Sequence, residues 1–235
     1  MSGFGVFDEY ADAYDAWFLQ NRQVLASEML LLKRAVGTPG RALSVGCGSG
    51  LFESILKREH GIEITHGVEP ADGMAQIATK RGLQVRSGVA EELPFEDGSF
   101  DTVILNGTPG YTRDLRQAFR EAHRVARSGG HAVVLDVPAE SGYGLLYRLA
   151  TAVGHWEDPR VAGSAPAHPY PIEFAAAGHW RTTPEKADLL REVGFVDLEF
   201  FQTLTRHPRY SNDVVEEPSE GFDRGDYVAI RARKP

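Results

Sequence analysis

A three-glycine turn between an apolar run and an amphipathic segment constrains the fold of this chain more than any other feature. The run ALSV at residues 42–45 is typical of a short buried strand, and GCGSG at 46–50 follows it directly. Apolar residues then recur at helical spacing, at Leu51, Phe52, Ile55 and Leu56. Glycine lets a ligand approach the backbone closely, and a helix N-terminus offers N–H groups without partners inside the helix. The segment therefore predicts a strand, a turn and a helix, with a ligand site at the turn.

The same alternation continues along the chain. Further strands are predicted at residues 62–68, 83–87, 100–106 and 131–137, with helices at 72–82 and 114–126. Strands that alternate with helices indicate a parallel sheet covered on both faces. After a helix that starts at 183, the segments 195–204 and 226–233 predict an antiparallel strand pair at one edge of this sheet.

The length of 235 residues suits one α/β domain with an insertion better than two full domains. We divide it into an N-terminal helical cap at 1–40, a cofactor-binding core at 41–137, an insertion at 138–181, and a C-terminal helix with the antiparallel pair at 182–235. The insertion breaks the strand and helix alternation and contains several glycines and aromatic residues. It is therefore predicted to cover a substrate site.

The composition excludes several classes of protein. Lys and Arg total 25 against 33 Asp and Glu, a net charge of −8, which disfavours binding to nucleic acid or to anionic lipid. Apolar runs are far shorter than the ~20 residues of a membrane span, and no signal segment opens the chain, so a cytoplasmic protein is expected. With Cys47 as the single cysteine and histidines at irregular spacing, neither an intrachain disulfide nor a metal site is predicted.

The spacing of the glycines distinguishes between nucleotide cofactors. A dinucleotide fingerprint places its third glycine or alanine at position 51, where this chain has Leu51, and no Gly-Lys-Ser/Thr follows as in a triphosphate-binding loop. Glu69 ends the second predicted strand, where a carboxylate accepts hydrogen bonds from the hydroxyls of a ribose. The turn and the acid together are much stronger evidence for a bound ribose-containing cofactor than the turn alone, and the dinucleotide interpretation is weakened.

At this point the sequence resembles the class I S-adenosylmethionine-dependent methyltransferases, within the small-molecule group that includes ubiquinone/menaquinone C-methyltransferases. The resemblance covers about residues 41–138. It rests on LSVGCGSG at 43–50, GVEPADGM at 67–74, GVAEELPFEDGSFDTVIL at 88–105 and RQAFREAHRVARSGGHAVVLDVP at 116–138. The segment FDEYADAYDAWF at 7–18 is also similar to the aromatic stretch that precedes the core in this group.

The resemblance implies a Rossmann-like three-layer sandwich, with a seven-stranded and mostly parallel sheet whose last strand is antiparallel. It implies S-adenosylmethionine as cofactor and S-adenosylhomocysteine as product. By the family pattern, the glycines would flank the methionine portion, Glu69 would hold the ribose, Met74 would pack on the adenine, and Asn106 would face the transferable methyl. The full set of implied cofactor-binding residues is Tyr10, Tyr14, Gly46, Gly48, Gly50, Glu69, Pro70, Met74, Ala90, Glu91 and Asn106.

Two departures from the family pattern concern cofactor contacts. Ser44 stands where the family usually has an acid two residues before the first glycine, and Val89 replaces a frequent aspartate. A serine hydroxyl can orient a water toward the cofactor's ammonium, and Glu91 can accept from the adenine amino group in place of the missing aspartate.

The acceptor side is less constrained by the sequence. His155, His168 and Tyr170 are the candidate proton acceptors, because a histidine titrates near neutral pH and a phenol is a weaker option. Aromatic residues of the insertion are candidates for an apolar acceptor pocket: Trp156, Tyr170, Phe174 and Trp180.

The leading hypothesis is a methyltransferase that acts on a small molecule by direct in-line displacement. A non-catalytic S-adenosylmethionine-binding or regulatory protein on the same fold is the alternative, and a nucleotide-cofactor dehydrogenase is disfavoured by Leu51. The acceptor and its methylated atom are not specified, and the sequence leaves a homodimer open.

Overall fold

The computed structural model describes Phe7 and residues 11–235, with side chains described for Phe7 and from residue 13 onward. Eight strands form one sheet in the order β3-β2-β1-β4-β5-β8-β6-β7. Their bounds are β1 Ala42–Val45, β2 His66–Val68, β3 Gln84–Arg86, β4 Phe100–Asn106, β5 Ala126–Asp136, β6 Val196–Thr203, β7 Ser219–Glu220 and β8 Tyr227–Arg233.

The first five strands are parallel, whereas β8 pairs antiparallel with both β5 and β6, and β7 pairs antiparallel with β6. Val134 of β5 lies opposite Ile230 of β8, and Phe201 of β6 lies opposite Ala229. The Rossmann-like topology with an antiparallel last strand is confirmed. The expected seven strands are joined by an eighth, because the polar stretch 206–225 contributes two residues that extend the sheet beyond β6. A two-residue strand leaves no alternation that could be detected in the sequence.

Nine α-helices connect or flank these strands in the described chain. They are α1 Ala11–Gln20, α2 Arg22–Val36, α3 Leu51–His60, α4 Asp72–Lys80, α5 Leu115–Val125, α6 Gly142–Val153, α7 Pro159–Ala162, α8 Ile172–Ala177 and α9 Thr183–Glu192. A 3₁₀ turn at Thr108–Tyr111 follows β4. A capping box starts α9: Thr182 accepts from the amide of Glu185, and the Glu185 carboxylate accepts from the amide of Thr182.

Alternate residues of the central strands face opposite layers of helices, as the sheet's period of two requires. Val103 and Val134 pack toward α5 and α9. Ile104 and Val133 pack on the other face, in a larger cluster that includes side chains of α1, α2, α3, α6 and α8. The predicted three-layer sandwich follows, and the parallel strands all end at one edge, where Asn106 and Asp136 are located.

The segment 138–181 contains α6, α7 and α8, and its aromatic side chains pack beside the ends of β4 and β5. Tyr170 and Trp180 lie near Gly107 and Asp136, on the side where the N-terminal helix α1 also packs. Two mainly helical segments therefore converge over the carboxyl ends of the strands, the usual position of ligand sites in open α/β sheets. Among the described helices, none is both long and apolar enough to cross a bilayer.

Candidate functional site

The glycine turn bends sharply at the end of β1. The amides of Gly46 and Cys47 both donate to the carbonyl oxygen of Val68, at 2.8 and 3.0 Å, which ties the turn to the end of β2. Gly48 has a φ of +54°, and a Cβ there would meet no atom within 4 Å. Its Cα hydrogens therefore face open space in a backbone conformation that glycine adopts without strain, and a ligand can approach the main chain at this point.

The carboxylate of Glu69 joins this turn to the start of α4. Oε2 accepts from the amide of Gly48 at 2.8 Å, and Oε1 accepts from the amide of Ala71 at 3.0 Å. The residue is 6% exposed and lies in the wall of a cleft. Each carboxylate oxygen has two lone-pair sites, so an oxygen that accepts one backbone hydrogen bond can accept a second hydrogen bond.

That cleft encloses about 620 Å³, part of it open to solvent. Nine of the eleven residues predicted to bind the cofactor line it: Tyr14, Gly46, Gly48, Glu69, Pro70, Met74, Ala90, Glu91 and Asn106. Gly50 does not line it, because this residue packs against Ala78 and Leu83 beneath the turn. Tyr10 lies outside the described residues. Phe7, Thr108 and Tyr111 also line the cleft and were missing from the prediction.

A smaller recess adjoins the cleft beyond the glycine turn, and it contains a buried carboxylate that the sequence analysis missed. Glu53, on the first turn of α3, is 5% exposed and accepts a 2.6 Å hydrogen bond from the hydroxyl of Ser44. Burial raises the pKa of Glu53, and the Ser44 hydrogen bond partly opposes that rise. An acid is therefore present beside Ser44, but it comes from the helix after the turn.

The N-terminal helix is tied to the outer side of the same turn by charged side chains. Asp15 of α1 accepts from the Ser49 hydroxyl at 2.6 Å and forms an ion pair with Arg81 at 2.6 Å. The Arg81 guanidinium also donates to the carbonyl and hydroxyl oxygens of Ser49. Helix α1, which carries Tyr14 into the cleft, is held in place by this three-residue network.

The other predicted polar contacts are partly engaged within the protein. Glu91 accepts from the amide of Asp114 at 3.2 Å, which connects it to the start of α5. Asn106 Oδ1 accepts from the Tyr227 hydroxyl at 2.9 Å. Tyr227 belongs to β8, so this bond links the cleft to a second pocket on the far side of Asn106.

This second pocket, hereafter the aromatic pocket, encloses about 430 Å³, part of it open to solvent. It shares Tyr14, Gly107 and Tyr111 with the cleft. Its remaining lining residues are Trp17, Phe18, Glu28, Asp136, Val137, Tyr147, Tyr170, Trp180 and Tyr227. The hydroxyls of Tyr111 and Tyr170 are 2.9 Å apart, and burial raises the pKa of both well above the usual value.

The candidate proton acceptors of the insertion differ in position, because Tyr170 is buried beside the aromatic pocket and the two histidines are exposed. Tyr170 lines the aromatic pocket, as does Trp180, whereas Phe174 packs on Phe7 beneath it and Trp156 donates to the Tyr170 carbonyl. The exposed His155 lies beside Glu157, and His168 is also exposed, with its carbonyl oxygen accepting from Trp17. Neither histidine lines the cleft or the aromatic pocket. Both histidines lie in loops between helices, where the chain has no periodicity from which these orientations could be predicted.

Comparison with known proteins agrees with this architecture. A family model described as a methyltransferase domain matches residues 43–134. A solved structure from Thermotoga maritima, described as a SAM-dependent methyltransferase and possible histamine N-methyltransferase, is 32% identical and superposes with a TM-score of 0.84 over 99% of this chain and 100% of that one. The chain belongs to the class I S-adenosylmethionine-dependent methyltransferases.

Other proteins match this chain along much of their length. An uncharacterised protein from Methanocaldococcus jannaschii is 30% identical over 229 residues, which cover 97% of this chain and 98% of that protein. A demethylmenaquinone methyltransferase from Thermus thermophilus is 35% identical over 159 residues, 61% of this chain and 70% of that protein. The methyltransferase is therefore an enzyme whose cofactor is S-adenosylmethionine, and the dehydrogenase and non-catalytic alternatives are set aside.

Proposed function

We propose that this methyltransferase transfers a methyl group to a small-molecule acceptor held in the aromatic pocket, by direct in-line displacement. The observation that carries the proposal is the shared wall between the two cavities. Tyr14, Gly107 and Tyr111 line both, so a cofactor in the cleft and an acceptor in the aromatic pocket would meet beside Asn106. The Thermotoga relative, described as a possible methyltransferase of a small amine, is consistent with an acceptor of this size.

The residues of the cleft fit S-adenosylmethionine. Gly48 leaves open the space that a Cβ would fill, and Glu69 directs a carboxylate into the wall for the ribose hydroxyls. Buried Met74 and Ala90 offer an apolar surface for the adenine, with Pro70 and Glu91 at its margin. Glu53 places a negative group in the recess beyond the turn, where the α-ammonium of the amino-acid portion would be held.

S-adenosylmethionine supplies a methyl group already activated on a sulfonium sulfur. The protein's part is alignment and the exclusion of water. Tyr14 is held over the glycine turn through the contacts of Asp15, and the segment 138–181 closes the opposite side with Tyr170 and Trp180. Asn106 lines the cleft and accepts a hydrogen bond from Tyr227 of the aromatic pocket, so this bond would lie near the reacting groups.

Calorimetry with S-adenosylhomocysteine and with NAD tests the cofactor assignment on the full chain. We expect saturable binding of the first and none of the second. Formation of S-adenosylhomocysteine in the presence of an acceptor panel, followed by mass spectrometry, tests the transfer. Binding of NAD without binding of S-adenosylhomocysteine would overturn the proposal, as would crystals soaked in the cofactor with the cleft blocked by side chains.

A further inference from the structure

Glu28 is a buried carboxyl that the proposed cofactor contacts do not use. It lies in the middle of α2, is 6% exposed and lines the aromatic pocket. Its carboxyl group forms no hydrogen bond or ion pair with any residue of the described chain, and burial raises its pKa to about 8. An acid in this position is expensive to ionise without a partner, so its presence calls for a physical explanation.

The surroundings of Glu28 are aromatic. Rings of Tyr14, Trp17, Tyr147, Tyr170 and Tyr227 line the same pocket. Their polar groups are in several cases engaged elsewhere: Trp17 donates to the His168 carbonyl, Tyr170 is paired with Tyr111, and Tyr227 donates to Asn106. Tyr147 and Tyr170 stack on one another, and the pocket offers an occupant its aromatic walls and one carboxyl group.

The second acid of the pocket is already neutralised. Asp136, at the end of β5, forms a buried ion pair with Lys186 of α9 at 3.1 Å. The titratable groups whose pKa the charge of Glu28 raises are phenols: Tyr14 from α1, Tyr143 and Tyr147 from α6, Tyr170 from the insertion, and Tyr227 from β8. Burial raises the pKa of each, so all five stay neutral at physiological pH. The pocket has no cation of its own to offset an ionised Glu28 among these described groups.

We infer that the acceptor is an amine, bound in the aromatic pocket as its ammonium ion with the Glu28 carboxylate as counter-ion. The ammonium ion then passes one proton to this carboxylate, and the freed nitrogen lone pair forms the new C–N bond as the bond between the methyl group and sulfur breaks. Aromatic faces attract a cation through their quadrupole, and a buried carboxylate that lacks a partner gains one when the ammonium enters. A neutral acceptor would leave Glu28 protonated and an anionic acceptor would be repelled by it. This inference rests on the proposed function, since it assigns the chemical class of the molecule that receives the methyl group.

Binding of a cation is then coupled to the loss of a proton. Below pH 8 the carboxyl group of Glu28 is mostly protonated in the free enzyme, and an entering ammonium ion stabilises the ionised form. The affinity for a permanently charged probe should rise about tenfold per pH unit from pH 6 to pH 8 and then level off.

The experiment uses two cations of different size, tetramethylammonium and benzylammonium, with benzyl alcohol as the neutral counterpart of the second. Quenching of tryptophan fluorescence and calorimetry follow binding to the full chain. We expect benzylammonium to bind at least tenfold more tightly than benzyl alcohol, and Glu28→Gln to remove both this preference and the pH dependence. The control Glu173→Gln removes an exposed acid of α8 and should leave both intact.

Calorimetry at pH 7 in two buffers of different ionisation enthalpy counts the released protons in the unmodified enzyme, so the test does not depend on the variant. Close to one proton released per bound cation supports the inference. Equal affinity for the charged and neutral probes, no proton release, or a cation affinity unchanged in Glu28→Gln overturns it. If S-adenosylhomocysteine still binds in that case, the proposed methyl transfer stands with another acceptor class, whereas loss of that binding contradicts the proposed function itself.

Discussion

The hydroxyl of Ser44 donates a 2.6 Å hydrogen bond to the carboxylate of Glu53, nine residues further along the chain. Ser44 is the last but one residue of β1, and Glu53 lies on the first turn of α3, so the bond spans the glycine turn. The family pattern places an acid at the position of Ser44. Here the acid is on the helix, and the strand residue orients it.

Replacing Glu53 with Gln should weaken binding of S-adenosylhomocysteine by about 1.5–3 kcal/mol, the range for a hydrogen bond to a charged group. The loss arises because the amino-acid ammonium of the ligand would no longer face a carboxylate. Methylthioadenosine lacks that amino-acid portion, so its affinity should be unchanged. Calorimetry measures the affinity of both ligands. An equal loss of affinity for the two would show that Glu53 does not contact the ammonium group.

Gly48→Ala and Gly61→Ala form a matched pair. Both glycines have positive φ, +54° and +66°, and a Cβ at either would meet no atom within 4 Å. Each substitution should destabilise the fold by about 1–2 kcal/mol through backbone strain. Only Gly48 faces the cleft, so only Gly48→Ala should also abolish binding of S-adenosylhomocysteine. Thermal unfolding and calorimetry on both variants separate the two effects, and equal ligand affinities would place the cofactor elsewhere.

Glu69→Ala should weaken S-adenosylhomocysteine and methylthioadenosine alike, by about 1.5–3 kcal/mol, since both ligands carry the ribose. The variant also loses the bonds to the amides of Gly48 and Ala71, so its melting temperature should fall. Glu92→Ala, at the exposed acid that follows Glu91, serves as the control. Unchanged affinity in Glu69→Ala would show that the ribose is held by another group.

Arg81→Met should loosen the N-terminal helix. The substitution removes the ion pair to Asp15 and the donors to Ser49 while it keeps much of the apolar side chain. We expect faster amide exchange in α1. We also expect S-adenosylhomocysteine to dissociate two- to fivefold faster, because the partly exposed ion pair between Arg81 and Asp15 contributes about 0.5–1 kcal/mol. Hydrogen exchange measures the first effect and stopped-flow kinetics the second. Unchanged amide protection of α1 in Arg81→Met would mean that aromatic packing alone holds this helix.

Glu28 should make the enzyme less stable as pH rises. Its pKa is about 8 in the folded chain and near 4.5 when unfolded, so the folded state binds more protons between these values. Its contribution to stability is full below pH 4.5 and is lost progressively up to pH 8. Between pH 5 and pH 7 the free energy of unfolding should fall by about 2–3 kcal/mol relative to Glu28→Gln. Urea unfolding of both proteins measures this difference, and parallel pH profiles would contradict it.

Much of the fold follows from local pattern. The glycine turn, Glu69 after the second strand and the alternation up to residue 136 are each encoded within a few consecutive residues, and most of the predicted cleft residues do line one cavity. These features are readable because hydrophobic period and turn chemistry act over short distances.

The acceptor side depends on contacts between distant parts of the chain. Glu28 reaches the aromatic pocket from α2, and Tyr227 reaches it from the last strand, so no short motif contains both. The sequence does contain a signal for both buried acids. Glu28 and Glu53 stand among apolar residues of amphipathic helices, where a charged side chain is unusual and therefore indicates a functional or structural role. The loops of the insertion have no helical or strand periodicity that distinguishes buried from exposed positions. His155 and His168 were therefore candidates although both are exposed.

The position of β8 between β5 and β6 has a consequence for the order of assembly. The chain reaches β6, residues 196–203, before β8, which lies between β6 and β5 in the sheet. Until β8 has been synthesised, β6 has no strand to pair with on that side and the edge of β5 is unpaired. Loss of β8 would leave that edge unpaired, with the backbone of Val133 and Val134 available to other chains. A chain that ends before β8 would therefore expose a strand edge of the kind that promotes aggregation, even with the glycine turn intact.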